Sequence, residues 1–165
     1  MEPWMWIAGG VALAVLLVVG AALVWRPMRR SMREAKLAKA RQDFHRQRER
    51  LEARFFEIAA ASGMPRGLRW VGCDFDDDVA YARDRRSGEL AALVAVTISF
   101  EAIPGGPMED VEAVGNLRAA TAVFRLGKER WQTDGRAVFN LNPTEAIAYY
   151  SDDLESVGRE VAHRN

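Results

Sequence analysis

Cysteine and histidine are nearly missing from this chain, which holds one of the first and two of the second. A lone cysteine cannot form an internal bridge, so a disulfide scaffold is excluded. Zinc spacings of the C-x-x-C or H-x-x-x-H kind are absent, as are the Walker phosphate loop, G-x-G-x-x-G and G-x-S-x-G. Glycine and proline are absent from Arg30 to Ala61. Net charge is also absent, with 23 basic and 23 acidic side chains in 165 residues. That zero is an average over unlike parts. Residues 26–54 carry eleven Arg or Lys against four acids, whereas residues 55–165 carry twelve against eighteen. With 49% hydrophobic residues the chain is neither wholly disordered nor collagen-like, and its length suits one compact domain.

What is present in quantity is an apolar run. Trp4 to Trp25 contains no charged residue over 22 positions. As a helix it would extend roughly 33 Å, against a bilayer hydrocarbon core of about 30 Å. Trp4 and Trp6 stand at the start of the run and Trp25 ends it, as expected of rings that favour the headgroup boundary. A cleaved signal peptide would need a basic start and a small-x-small cleavage site; here the start holds only Glu2, and the run ends in Leu23-Val24-Trp25-Arg26-Pro27. Pro27 marks a place where the helix is expected to pause or bend. Gly10 with Ala14, and Ala8 with Ala12, would permit close helix approach, although such pairs are ordinary in membrane helices.

Arg26, Arg29, Arg30, Arg33, Lys36, Lys39 and Arg41 follow, opposed only by Glu34. Basic residues stay on the cytoplasmic side, so the N-terminus is expected outside and the bulk of the chain in the cytoplasm. The reduced cytoplasm agrees with a lone cysteine. The expected interface residues are therefore Trp4, Trp6, Trp25, Arg26, Arg29, Arg30 and Arg33. Weak contact with anionic lipid is a second use for these cations, beyond setting topology. Nucleic acid is disfavoured, since only Phe44 supplies an aromatic ring for base stacking near them.

Ala, Arg, Lys, Glu, Gln and Leu dominate from Arg30 to Ala61, which predicts helix, with Gly63 and Pro65 as stop signals. Leu37, Phe44, Leu51 and Ile58 repeat every seven residues, but Ala40, Gln47 and Arg54 supply no second apolar column. A coiled coil needs both. The first half reads as a solvated stalk. The second half, through Leu51, Phe55, Phe56, Ile58 and Ala59, is expected to dock on the domain that follows.

Past Pro65 the period drops to two. Leu68–Phe75 and Val79–Arg83 read as short strands, and Gly88 suits a turn requiring positive φ. Leu90 to Phe100, Leu117 to Leu126 and Arg130 to Leu141 read as three more strands, with Phe100 and Phe139 turned inward and a bend at Gly135. Asn142-Pro143-Thr144-Glu145 is a helix start. Ile147, Tyr150, Leu154, Val157 and Val161 then continue at helical spacing, predicting a C-terminal helix. The expected class is α+β: a transmembrane anchor over 1–25, a basic helical stalk over 26–43, and a cytoplasmic domain over 44–165 with about five antiparallel strands. A curved sheet with a nuclear-transport-factor-like or cystatin-like layout is compatible with that order. No family motif accompanies it.

The chemistry on offer is thin. Asp74, Asp76, Asp77 and Asp78 could attract calcium or magnesium, but lack the glycine and terminal glutamate of a calcium loop, so a solvated turn is the simpler reading. Cys73 is expected to be a buried structural thiol, its pKa raised by the neighbouring acids. His45 and His163 sit in no motif. Gly105 and Gly106, between prolines, read as a loop. No cofactor or metal is implied. Two functions follow: a non-catalytic, membrane-anchored module binding a protein partner, or a small enzyme or ligand-binding domain. The second would use a pocket lined by Trp70, Tyr81, Trp131 and Phe139 in a curved sheet.

Overall fold

The want of helix breakers between Arg30 and Ala61 has its expected effect: a helix, α1, runs from Pro3 to Ser62. A computed structural model describes residues 3–62, 67–128 and 130–161; the side chains of 3–15, 17–24, 26–30 and 113 lie outside the described ones. The helix does not end at Pro27, where a pause or bend was anticipated. Proline forfeits one backbone donor, but the good helix formers that follow sustain the helix. The chain divides into two units, Met1–Gln42 and Asp43–Asn165, the division falling within α1.

In the first unit the backbone is helical throughout its described part, and Leu16, Trp25 and Met32 are exposed. Among the described residues no helix is long and apolar enough to cross a membrane. Most side chains of the apolar run from Trp4 to Trp25 lie outside those residues.

The second unit is an α+β domain built on one antiparallel sheet of six strands. These are β1 (Leu68–Asp84), β2 (Leu90–Ala102), β3 (Arg118–Leu126), β4 (Trp131–Gln132), β5 (Ala137–Phe139) and β6 (Leu154–Glu160). The order is β4-β3-β2-β1-β6, with β5 also on β3. The two short strands expected over Leu68–Phe75 and Val79–Arg83 are one long strand, whose pairing with β2 shifts between Phe75 and Val79. The three aspartates between them form a bulge within the strand and do not connect two strands. Arg48 holds it from α1: Nη2 donates to the Asp76 carbonyl, and Nη1 to that of Asp77 at 3.2 Å. Backbone oxygens taken out of the ladder thus regain partners.

Gly88 takes φ 74° in the β1–β2 turn, as anticipated, and its N–H donates to the Asp84 carbonyl at 2.8 Å. The strand expected over Arg130–Leu141 is broken into β4 and β5. Gly135 stands between them at φ 75°, and a Cβ there would lie 2.8 Å from both the Ala59 nitrogen and Ile58 Cγ2. The break lets α1 pack against bare backbone.

The helix start at Asn142 is a full capping box: Asn142 Oδ1 accepts from the Glu145 N–H, and Glu145 Oε2 from the Asn142 N–H, both at 2.9 Å. The predicted C-terminal helix is otherwise wrong. Helix α2 covers only Pro143–Tyr149, and Leu154–Glu160 pairs with Val79–Asp84 of β1 as β6. Helical spacing of Leu154 and Val157 lost to two demands. Ser151, Asp152 and Asp153 are turn formers. The segment Val79–Ala82 is buried, so its outer row of backbone groups needs a strand partner.

Both faces of the sheet are covered. On one, Phe44, Leu51, Phe55 and Ala59 of α1 are buried at seven-, four- and four-residue intervals and meet the sheet. Phe44 makes edge-on contacts with Tyr81, Phe124 and Trp131 at ring separations of 6.2, 5.5 and 5.1 Å. Phe55 meets Phe75 at 5.7 Å. Each such burial is worth about 1.5–3 kcal/mol before packing is counted. On the other face Ala146 and Ile147 of α2 pack on Ala80, Ala82, Ala91 and Leu93. Phe139, expected inside, is 42% exposed and Phe100 half-buried; both touch Trp70 edge-on. They sit at the sheet's end, where only one ring shields them.

Candidate functional site

The aromatic residues expected to line a pocket do not do so together. Tyr81 and Trp131 are fully buried against Phe44, Trp70 is buried at the far end, and Phe139 is exposed. Two of the four are spent on joining α1 to the sheet. The Tyr81 hydroxyl donates to Glu160 Oε2 at 3.0 Å, and His45 Nε2 lies 2.7 Å from the same oxygen. That trio ties α1, β1 and β6 at the rim of the core, with His45 itself exposed.

Concavities occur instead on the opposite face, because α2 has only seven residues and cannot cover the sheet from end to end. The larger, about 710 Å³, lies between the β1 bulge, the middle of β2 and β3, and Asn140–Asn142. Asp74, Asp76, Asp77 and Glu145 border it. These carboxylates and their neighbours already have structural work. Glu145 closes the capping box, Asp77 Oδ1 lies 3.8 Å from Arg48 Nη1, and Asp78 Oδ2 accepts from Arg159 Nη2 at 2.7 Å. Among the described residues no group of three or more His, Cys, Asp or Glu side chains is placed to hold a metal ion.

The smaller concavity, about 300 Å³, flanks the other side of α2. Its floor is apolar, with Leu93 and Val123 buried and Val138 half-buried. Arg86, Arg125 and Arg136 border it with Asp84, Asp153 and Tyr150. Asp84 Oδ1 accepts from the backbone N–H groups of Ser87 at 2.8 Å and Arg86 at 2.9 Å, and these bonds hold its carboxyl below the usual range. Of these residues the sequence singled out only Tyr150, and that for a helical stripe. They come from five separated segments, and the only local hint is Arg125 closing a strand on the face of Val123 and Thr121.

The predicted interface residues are placed as follows. The side chains of Trp4, Trp6, Arg26, Arg29 and Arg30 lie outside the described residues; Trp25 and Arg33 are exposed on α1. His163 also lies outside. Cys73 is half-buried, and burial pushes its thiol up to about 11. The direction was anticipated, but the cause is desolvation and not the neighbouring acids. Gly105 and Gly106 lie in a loop, where Gly105 N–H donates to Glu109 Oε2 at 2.8 Å.

No protein-family model, curated protein or solved structure matches the chain.

Proposed function

We propose that the chain is a single-pass membrane protein whose cytoplasmic α+β domain binds a protein partner without catalysing a reaction. The anchor rests on the uncharged run from Trp4 to Trp25, and its orientation on the seven Arg and Lys between Arg26 and Arg41. The observation that carries the non-catalytic part is the burial of Tyr81 and Trp131 beneath Phe44. The aromatic lining on which an enzyme pocket would have depended is packed into the core, and the dense acidic run is a stapled bulge. Positively charged residues beside the anchor add weak attraction to anionic lipid, on the order of 1 kcal/mol each near the surface.

Two measurements test this reading. A reporter fused after Asn165 is expected to be active only in the cytoplasm; export of the reporter, or processing of the chain after the apolar run, overturns the topology. The full chain purified from detergent-solubilised membranes is expected to carry a second protein in fixed proportion. Recovery of the 18.4 kDa chain alone and monomeric under mild conditions counts against the partner.

A further inference from the structure

Arginine side chains around a pocket are usually solvated and of no consequence, so what matters is whether their charge is already answered. Of the three that border the smaller concavity, Arg86 is answered: its Nη2 lies 3.2 Å from Asp153 Oδ1. Asp84 is answered largely by backbone, through the two N–H groups that bind Oδ1. Arg125 reaches Asp84 Oδ2 only at 3.9 Å, beyond hydrogen-bond distance. Arg136 lies with its guanidinium carbon 5.6 Å from the Tyr150 ring centroid. Among the described residues neither guanidinium donates a hydrogen bond. Three guanidinium groups thus face two acids, Arg125 at ion-pair but not hydrogen-bond distance, so the rim carries one positive charge in excess and the N–H edges of Arg125 and Arg136 remain unused.

Their surroundings make this more than a charged patch. Arg125 follows Val123 on β3 and stands opposite Ala91 of β2, while Val123 stands opposite Leu93. A cation therefore borders the concavity on the same face as its apolar floor, with Val138 and Leu154 packed against Leu93 and the alanines around it. The alanines at 82, 91 and 146 keep that floor low. The Tyr150 ring lies within cation–π reach of the Arg136 guanidinium and leaves its N–H groups available.

We propose that this concavity binds a small organic carboxylate with a compact apolar body. The carboxylate meets Arg125 and Arg136, and the body rests on Leu93, Val123 and Val138. A planar guanidinium matches a carboxylate or a phosphate with two parallel hydrogen bonds, which a neutral hydroxyl does not reproduce; inorganic phosphate is disfavoured here because it has no apolar body to rest on the floor. About 300 Å³ accommodates a body of roughly eight carbons at ordinary interior packing density. The site stands apart from partner binding and from the membrane anchor, so either reading survives failure of the other.

The test uses the full chain in nanodiscs of zwitterionic lipid, titrated with cyclohexanecarboxylate, cyclohexylmethanol and inorganic phosphate. Binding is followed by calorimetry and by the methyl resonances of Leu93, Val123 and Val138. The carboxylate is expected to saturate one site per chain, with a Kd of about 1 mM or tighter. Cyclohexylmethanol and phosphate are each expected to bind at least tenfold more weakly. Arg125→Gln with Arg136→Gln should weaken the carboxylate at least tenfold at an unchanged melting temperature, and Arg125→Lys should weaken it by a smaller factor. Absence of a saturable shift at roughly 10 mM ligand overturns the proposal, since a millimolar site would be mostly filled there. Equal binding of the alcohol rules out anion recognition, and equal binding of phosphate rules out a role for the floor. Either result overturns it too.

Discussion

The two faces of the sheet are covered by opposite means. Toward α1 the contacts are large rings: Phe44, Phe55, Phe75, Tyr81, Phe124 and Trp131 meet mostly edge-on at 5–6.5 Å. Toward α2 they are alanines, with Leu93 and Ile147 the main larger residues. The same alternation along β1, β2 and β3 produces both. Large side chains hold a helix at a distance and fill the gap, so the α1 face ends as solid core. Small ones let a short helix sit close, and a helix of seven residues leaves the sheet bare on either side. The filled face stabilises the domain, and the thinly covered face is where concavities remain for binding.

Substitution tests that asymmetry, and the largest effect is expected at the centre of the ring cluster. Phe44→Ala should cost about 3–5 kcal/mol, read as a fall in the chemical denaturation midpoint of the full chain in mild detergent. A loss below about 1 kcal/mol would mean that α1 contributes little to the fold. Gly135→Ala should follow, at roughly 2–3 kcal/mol, because a Cβ there combines a positive φ with a 2.8 Å approach to α1 backbone. Retention of full stability would show that α1 does not pack as closely as the geometry requires.

On the alanine face Ile147→Ala should cost about 2 kcal/mol, at the low end for a buried aliphatic, since the short helix can settle towards the sheet. A cost matching that of Phe44→Ala would abolish the distinction between the faces. Phe139→Ala should be the mildest, under about 1 kcal/mol, because the ring is 42% exposed and its neighbours Trp70 and Phe100 retain each other. A loss above about 3 kcal/mol would place that ring in the core after all.

How much of this was legible in the residues depends on whether a feature is set locally. The turn at Gly88, the capping box at Asn142 and the docking of Leu51, Phe55 and Ala59 were readable, because each is fixed within a few residues by backbone φ, capping groups or helical period. Phe56 and Ile58, by contrast, are only half-buried, and the central place of Phe44 was not foreseen. The tail beyond Tyr150 was not. Ile147, Tyr150, Leu154, Val157 and Val161 fit a helical stripe as well as anything in the chain. The first four nevertheless go to a helix, a cap and a strand, and Val161 lies past the strand's end, because the edge of β1 is 70 residues away from Leu154 and its need for a partner leaves no mark on the local pattern. The acidic run was misread in a related way: nothing near Asp76 reveals that Arg48 answers its carbonyl.

By itself, then, the order of residues determined the elements whose cause is local: a long helix free of Gly and Pro, alternating strands, a capped helix start, and the charge asymmetry beside an apolar run. Tertiary structure alone decided which rings became core, why three aspartates form a bulge, and where a strand replaced a helix. It also brought Arg125 and Arg136 to the rim of one concavity, with an apolar floor between α2 and the sheet. The physical reason is that burial, hydrogen-bond satisfaction and the pairing of charge are settled between segments distant in the chain, whereas period and capping are settled within a turn or two.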